Sequence, residues 1–327
     1  LRRVFAFVAW VAVVLTSAWA VLALYFDVRI EGLRRPLALA YLAAIAVVFA
    51  RVRPMRRAKL VALGGFGVVL AWWLSLAPSN QRDWQADVAV LPYAEADGDR
   101  ITIHGIRDCE YRSETDFYVR RYDKTFDLAQ LATVDLFLVY WGSPMIAHTM
   151  LSFGFERDGY VCVSIETRKE NGEAYSALRG FFRQYELTYV VADERDLVRL
   201  RTDFRNEDVY LYRLKCSPGA ARGLFLEYMS KIDALEREPE WYNALASNCT
   251  SNIRGHTLPY AQESHWDWRL VINGYLDELL YERGKLDTSL SFAEARQSAY
   301  INPAARAAHG AADFSQSIRA GIRGASR

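Results

Sequence analysis

The stretch AHTMLSFGFERDGYVCVSIET, residues 147–167, decides how the rest of the chain is read. Two runs rich in apolar and β-branched residues, 148–155 and 160–167, flank Glu156-Arg157-Asp158-Gly159. A polar turn closing on glycine between two such runs is the signature of a β-hairpin. With Phe155 and Tyr160 bracketing the turn, positions 166 and 167 fall opposite His148. Side chains alternate along a strand, so Ser164 and Glu166 are expected on the face that carries His148.

Other strands follow outward from this hairpin. VDLFLVY (residues 134–140) is stopped by Gly142 and Pro144, and 100–106, 187–191 and 209–214 are shorter runs of the same kind. Residues 218–235 carry Leu224, Phe225, Tyr228, Ile232 and Leu235 at helical spacing, with Pro218 acceptable in a first turn. A second helix is expected over 267–281, and Ser291 with Glu294 has the spacing of a capping box. These elements predict an α+β domain, a mixed or antiparallel sheet plus helices, over residues 78–301. The remainder, 302–327, is rich in Ala, Gly and Arg and is expected to be a loosely ordered tail.

The chain has 327 residues, 52% of them apolar, and a formal net charge of +1. These averages exclude a disordered chain and a strongly basic nucleic-acid binder. They conceal an uneven distribution. Residues 1–77 hold ten basic and two acidic side chains, a net of +8, so the rest carries −7. The front also holds three uncharged runs, 4–26, 36–50 and 60–77. About 20 apolar residues span a bilayer core, so residues 1–77 read as a three-helix membrane anchor. Arg51, Arg53, Arg56, Arg57 and Lys59 fill one inter-helix segment with no acid among them, which assigns it to the cytoplasm. The N-terminus is then cytoplasmic and everything after Ala77 lies on the outer side of the membrane. The rival is a cleaved signal peptide with Ala18-Trp19-Ala20 as its site, but the apolar run continues beyond it and two more follow.

Cys249 stands in SNCTSN (residues 247–252), a cluster that signals a helix start with Ser247 or Asn248 as the cap. A thiol in a first helical turn feels the positive end of the helix dipole, which favours the nucleophilic thiolate. The competing reading is an inert buried cysteine. His148 opens a strand close to the turn at Gly142-Ser143-Pro144, which suits a rigidly held general base; a structural histidine bonded to backbone is the alternative. Glu166 is placed to orient the imidazole, with Ser164 as substitute, though Arg168 and Lys169 leave Glu166 open to an ordinary ion pair. Cys109, Cys162 and Cys216 have no comparable setting; a disulfide among them is open in an oxidising compartment. His104, His256, His265 and His309 show no zinc spacing, and no metal or other cofactor is expected.

WQADVAVLP (84–92), YWGSP (140–144) leading to Ala147-His148-Thr149, SIETRK (164–169) and NCT (248–250) together resemble the periplasmic domain of the Lnb-type family, over roughly residues 80–300. That family takes its name from a bacterial lipoprotein N-acyltransferase. More distantly, a histidine preceding an Asn-Cys helix start resembles the circularly permuted papain-like enzymes of the NlpC and lecithin–retinol acyltransferase type. The resemblance implies a Cys249 nucleophile, a His148 base and a Glu166 orienting group, with Asn248 and backbone N–H groups steadying an oxyanion. It implies a thiol acyltransferase that takes an acyl chain from a membrane lipid and passes it to the N-terminal amine of a lipoprotein. Two alternatives stand beside it: a membrane-anchored cysteine peptidase or amidase using the same dyad, and a non-enzymatic envelope-binding domain.

Overall fold

The computed structural model describes residues 2–260 and 265–322. It divides into two compact units, residues 1–79 with 175–186, and residues 80–174 with 187–327.

The first unit holds α1 (Arg2–Asp27), α2 (Glu31–Arg51) and α3 (Met55–Leu74), each long and apolar enough to cross a membrane. Small residues sit where these helices meet: Ala20, Ala23, Ala58 and Ala62 are buried while most Leu, Val and Phe side chains face outward. Close backbone approach through small residues is how apolar helices associate in lipid, where no hydrophobic force drives them together. Trp19 packs edge-on against Phe66 and Trp73 at 5.7 and 5.2 Å. Residues 175–186, remote in sequence, join this unit. Phe182 is buried 5.3 Å from Phe26, Arg183 lies over the Trp73 ring, and Gln184 donates to the Phe26 carbonyl at 2.6 Å.

The second unit is built on a sheet of β1 (Tyr93–Asp97), β2 (Arg100–Tyr111), β3 (Phe117–Asp127), β4 (Leu131–Tyr140), β5 (Ala147–Phe155), β6 (Gly159–Arg168), β7 (Glu186–Ala192) and β8 (Asp208–Arg213). Their order is β1-β2-β7-β6-β5-β4-β8, with β3 also paired to β2. The expected hairpin is β5–β6, in register from Phe155↔Gly159 to Met150↔Ser164. The sheet is mixed, since β2 and β7 run parallel where Arg107 meets Ala192. Helices α4 (Glu194–Arg199), α5 (Pro218–Arg237), α6 (Cys249–Thr257), α7 (Leu276–Glu282), α8 (Phe292–Ala299), α9 (Asn302–Ala307) and α10 (Phe314–Ser317) complete it.

Strand alternation gives β4–β6 two buried faces. Phe137, Val139, Met150 and Cys162 form one core with Leu197 and Val198 of α4 and with the C-terminal helices. Phe153 and Phe155 point the other way, onto Phe225 of α5 at 5.1 and 5.4 Å. On the first side, Asp196 of α4 is wholly enclosed. It receives Arg107 Nε and Nη2 at 2.9 and 2.8 Å, the Cys109 N–H at 2.7 Å and the Tyr111 O–H at 2.9 Å.

Two expectations are corrected. Residues 302–322 are not a loose tail: α9 and α10 lie on the sheet, and Ala305, Ala308, Phe314 and Ile318 are part of the core. The small alanines of this stretch allow its short helices to approach the strands closely. Residues 323–327 lie outside the described residues. The helix expected over 267–281 is broken into single turns at Trp268–Leu270 and Asn273–Tyr275 before α7 begins. Asn273 and Gly274 leave helical pairing because they bind the β5 end instead, as described next. Strands β1 and β3 were not anticipated; β3 (FYVRRYDKTFD) is mostly part-exposed and charged, so it lacks an apolar alternation.

Candidate active site

The β5–β6 pairing stops at Met150 and Ser164, and His148 stands just beyond it. His148 Nε2 lies 2.7 Å from Ser164 Oγ, and the Ser164 O–H donates to Glu166 Oε1 at 2.7 Å. Arg201, in the turn Leu200–Phe204 that continues α4, donates to the same Glu166 oxygen at 2.9 Å. A hydroxyl has a single hydrogen. Ser164 spends it on the carboxylate, so it must accept from His148, and Nε2 carries the imidazole proton. The lone pair is left on Nδ1. His148, Ser164 and Glu166 therefore come together in series, with Ser164 between the other two; His148 Nε2 and Glu166 Oε1 are 3.8 Å apart.

Burial is the largest influence on the Glu166 carboxyl and would raise it, but Arg201, His148, Arg107 and the Ser164 hydrogen bond together outweigh it and hold Glu166 well below the usual carboxylate range. Burial, with Arg201 adding to it, pushes His148 down to about 3 against the pull of Glu166. The imidazole thus rests neutral, able to accept a proton at Nδ1. A His with a lowered folded pKa binds fewer protons than in the unfolded chain. Its stabilising contribution is complete above the unfolded value of about 6.5 and is lost as pH falls toward about 3. Glu166, also lowered, acts in the same direction. The thermal midpoint of the full chain should fall between pH 7 and pH 4, and His148→Asn should flatten that slope. The part that remains belongs to groups such as His256, which burial lowers to about 4. An identical slope in the variant counts against a neutral buried His148.

Cys249 is the first residue of α6, behind an Asn248 cap. Asn248 Oδ1 accepts the Ser251 N–H at 2.9 Å, and Ser251 Oγ accepts the Asn248 N–H at 2.9 Å. The Asn248 amide also donates to the Ala244 carbonyl at 2.7 Å, so its side chain is engaged at both ends in holding the helix start. Among the described residues, the Cys249 and Thr250 N–H groups have no such partner. Cys249 is half-buried, and its Sγ lies 3.9 Å from Thr250 Oγ1.

The residue that ties these two segments together escaped the sequence reading. Buried Asn273 brackets Ala147, accepting its N–H at 2.9 Å and donating to its carbonyl at 2.6 Å, and reaches Thr250 Oγ1 at 2.5 Å. The neighbours of His148 and of Cys249 are thereby held by one side chain. The His148 and Cys249 side chains are not bonded to each other: His148 is engaged with Ser164, and Cys249 with Thr250. Gly274 secures the same junction, donating to Met145 O at 3.0 Å and accepting from the Tyr140 hydroxyl at 2.8 Å. A Cβ there would lie 2.1 Å from Pro144 O, so only glycine fits. Asn273-Gly274 is a turn dipeptide inside the stretch expected to be helical, and that break was the one local signal that could have marked this junction.

Cys109, Cys162 and Cys216 are free thiols, the first two buried and the third exposed, so the disulfide left open above is not formed. Burial, and then the Asp196 charge, pushes Cys109 up to about 12. Among the described residues, no set of three or more His, Cys, Asp or Glu side chains is grouped as a metal site requires.

Residues 118–274 match the sequence model of the family described as the Lnb N-terminal periplasmic domain. The match covers a little under half of the chain and says what this segment is similar to. The matched stretch contains His148, Ser164, Glu166, Arg201, Cys249 and Asn273. No curated protein and no solved structure matches the chain. Three apolar N-terminal helices followed in the chain by a segment similar to a periplasmic domain are consistent with an inner-membrane protein that has a periplasmic domain.

Proposed function

We propose that the protein is an inner-membrane thiol acyltransferase, with its N-terminus cytoplasmic and a permuted papain-like catalytic domain in the periplasm. His148 Nδ1 takes the proton of Cys249, and the thiolate attacks an ester carbonyl of a phospholipid. The Cys249 and Thr250 N–H groups steady the oxyanion. As the thioester forms, the ester C–O bond breaks, and the leaving lysolipid oxygen takes the proton from His148. The N-terminal amine of a lipoprotein then attacks the thioester. It loses its proton to His148, which returns it to the departing sulfur. Glu166, through Ser164, keeps the imidazole in the Nε2–H form throughout.

The observation that carries a lipid over a peptide substrate is the surface beside the reactive residues. Trp141, Met145 and Ile146 lead into His148, Leu245 precedes Cys249, and Trp268 and Val271 precede Asn273; all six are exposed. Apolar side chains gathered on the segments that flank a site, rather than scattered singly, suit an acyl chain. An anchored enzyme also spares its substrate a cost of about 0.8 kcal/mol for each CH₂ withdrawn from lipid. The test is intact-protein mass spectrometry after incubation with one phospholipid of defined chains. A mass gain equal to one of its acyl groups, located at Cys249 and released by hydroxylamine, is expected. Release of free fatty acid or cleaved peptide without an adduct favours transfer to water and a hydrolase.

A further inference from the structure

We propose that residues 175–185 form a lipid-facing strap at the membrane–water boundary, which binds an anionic phospholipid by its phosphate through Arg179. The inference rests on the reading of α1, α2 and α3 as membrane spans and on no chemistry at Cys249.

The stretch is YSALRGFFRQY. Four of its residues are aromatic, two are arginine and none is acidic. Amphipathic rings collect at the headgroup level of a bilayer, and arginine carries an apolar stem with a charge that reaches the headgroups. The stretch is also fastened to the ends of two spans. Gln184 donates to the Phe26 carbonyl at the end of α1, at 2.6 Å, and Arg183 to that of Leu74, the last residue of α3, at 3.2 Å. The last carbonyls of a helix have no partner within it, and lipid supplies none. Phe182 is buried between them, 5.3 Å from Phe26 and 6.1 Å from Trp19. Three successive spans bring the ends of α1 and α3 to the same face of the bilayer, so the strap lies at that boundary.

What it turns outward fits lipid. Tyr175, Leu178 and Phe181 are exposed, while Gln184 and Tyr185 are turned in, and the Tyr185 hydroxyl accepts the Ser176 N–H at 3.1 Å. This inverts the pattern of a loop that faces water. Arg179 sits among the outward side chains. Its guanidinium is 5.9 Å from the centre of the Phe26 ring, and no carboxylate pairs with it among the described residues. Arg29, Arg34 and Arg35 follow the end of α1 with Asp27 and Glu31, and Asp27 is buried against Trp73 Nε1 at 2.7 Å. The boundary therefore carries a cationic excess, complementary to a lipid phosphate and suited to the planar fork of arginine.

The test uses the full-length protein in nanodiscs of ether-linked phosphatidylglycerol and phosphatidylethanolamine in equal amounts. Neither lipid has an ester to transfer, so the result stands apart from whether the protein is an acyltransferase; that is decided by Cys249→Ala. Lipids that stay bound after detergent extraction are counted by native mass spectrometry. The wild type is expected to retain the anionic lipid in preference. Arg179→Gln should lower that preference about fivefold, with the thermal midpoint unchanged. Arg112→Gln removes an exposed charge from the other unit and should leave the preference as it was. Equal retention of the two lipids by the wild type overturns the proposal, as does an Arg179→Gln profile that overlays it. A fall of the same size in Arg112→Gln also overturns it, because net charge alone would then govern retention. So does a lowered midpoint in Arg179→Gln, which would give this arginine a packing role.

Discussion

Cys249→Ala should reduce acylation of a reporter lipoprotein by at least about 10³-fold, since the covalent route disappears with its nucleophile. Mass spectrometry of the reporter N-terminus reads this directly. The fold should survive. Cys249 is only half-buried, and the Asn248–Ser251 cap and the Asn273–Thr250 bond do not involve its sulfur. Cys249→Ser should recover little. A serine hydroxyl is far less acidic than a thiol, and His148, pushed down to about 3, is a weak base to draw its proton. Cys216→Ala is the natural control, because that thiol is exposed and has no place in the site. Unchanged acylation in Cys249→Ala would sink the covalent mechanism, even with the similarity of residues 118–274 to the Lnb-type domain standing.

Asp196→Ala should destabilise the protein by about 3–5 kcal/mol, the range for removing one partner of a buried ion pair. The loss goes beyond the attraction itself. Arg107, 2% exposed, would keep its charge in the interior with both of its bonds to the carboxylate gone. The Cys109 N–H and Tyr111 O–H would lose their acceptor as well. Urea unfolding in detergent, followed by proteolysis of the unfolded chain, measures the change. Arg107→Met combined with Asp196→Leu should recover a large part of it, because no charge is then left unpaired. A single-variant loss below about 1 kcal/mol would show that water reaches the site and replaces the carboxylate. Activity should fall too. Asp196 anchors α4, and the turn after α4 delivers Arg201 to Glu166.

Much of the candidate site was legible in the chain, and the reason is locality. The hairpin register follows from a four-residue turn and side-chain alternation, so His148, Ser164 and Glu166 could be placed on one face. The cap at Asn248 is written within four consecutive residues. What remained illegible was order and closure. Glu166 and Ser164 read as alternatives for one position, whereas they are bonded in series, because Arg201 from the turn after α4 fixes the carboxylate and leaves the hydroxyl as the link to His148.

The sequence by itself determined the three apolar helices, the β5–β6 hairpin and a thiol at a capped helix start. Each depends on hydropathy, turn chemistry or capping within a short window. Only the tertiary structure decided that Asn273 clamps Ala147 to Thr250, that 175–186 packs with the apolar helices, and that 302–322 belongs to the core. Those outcomes join residues far apart in the chain. Their free energy comes from burial and hydrogen bonding between elements, which no local pattern encodes.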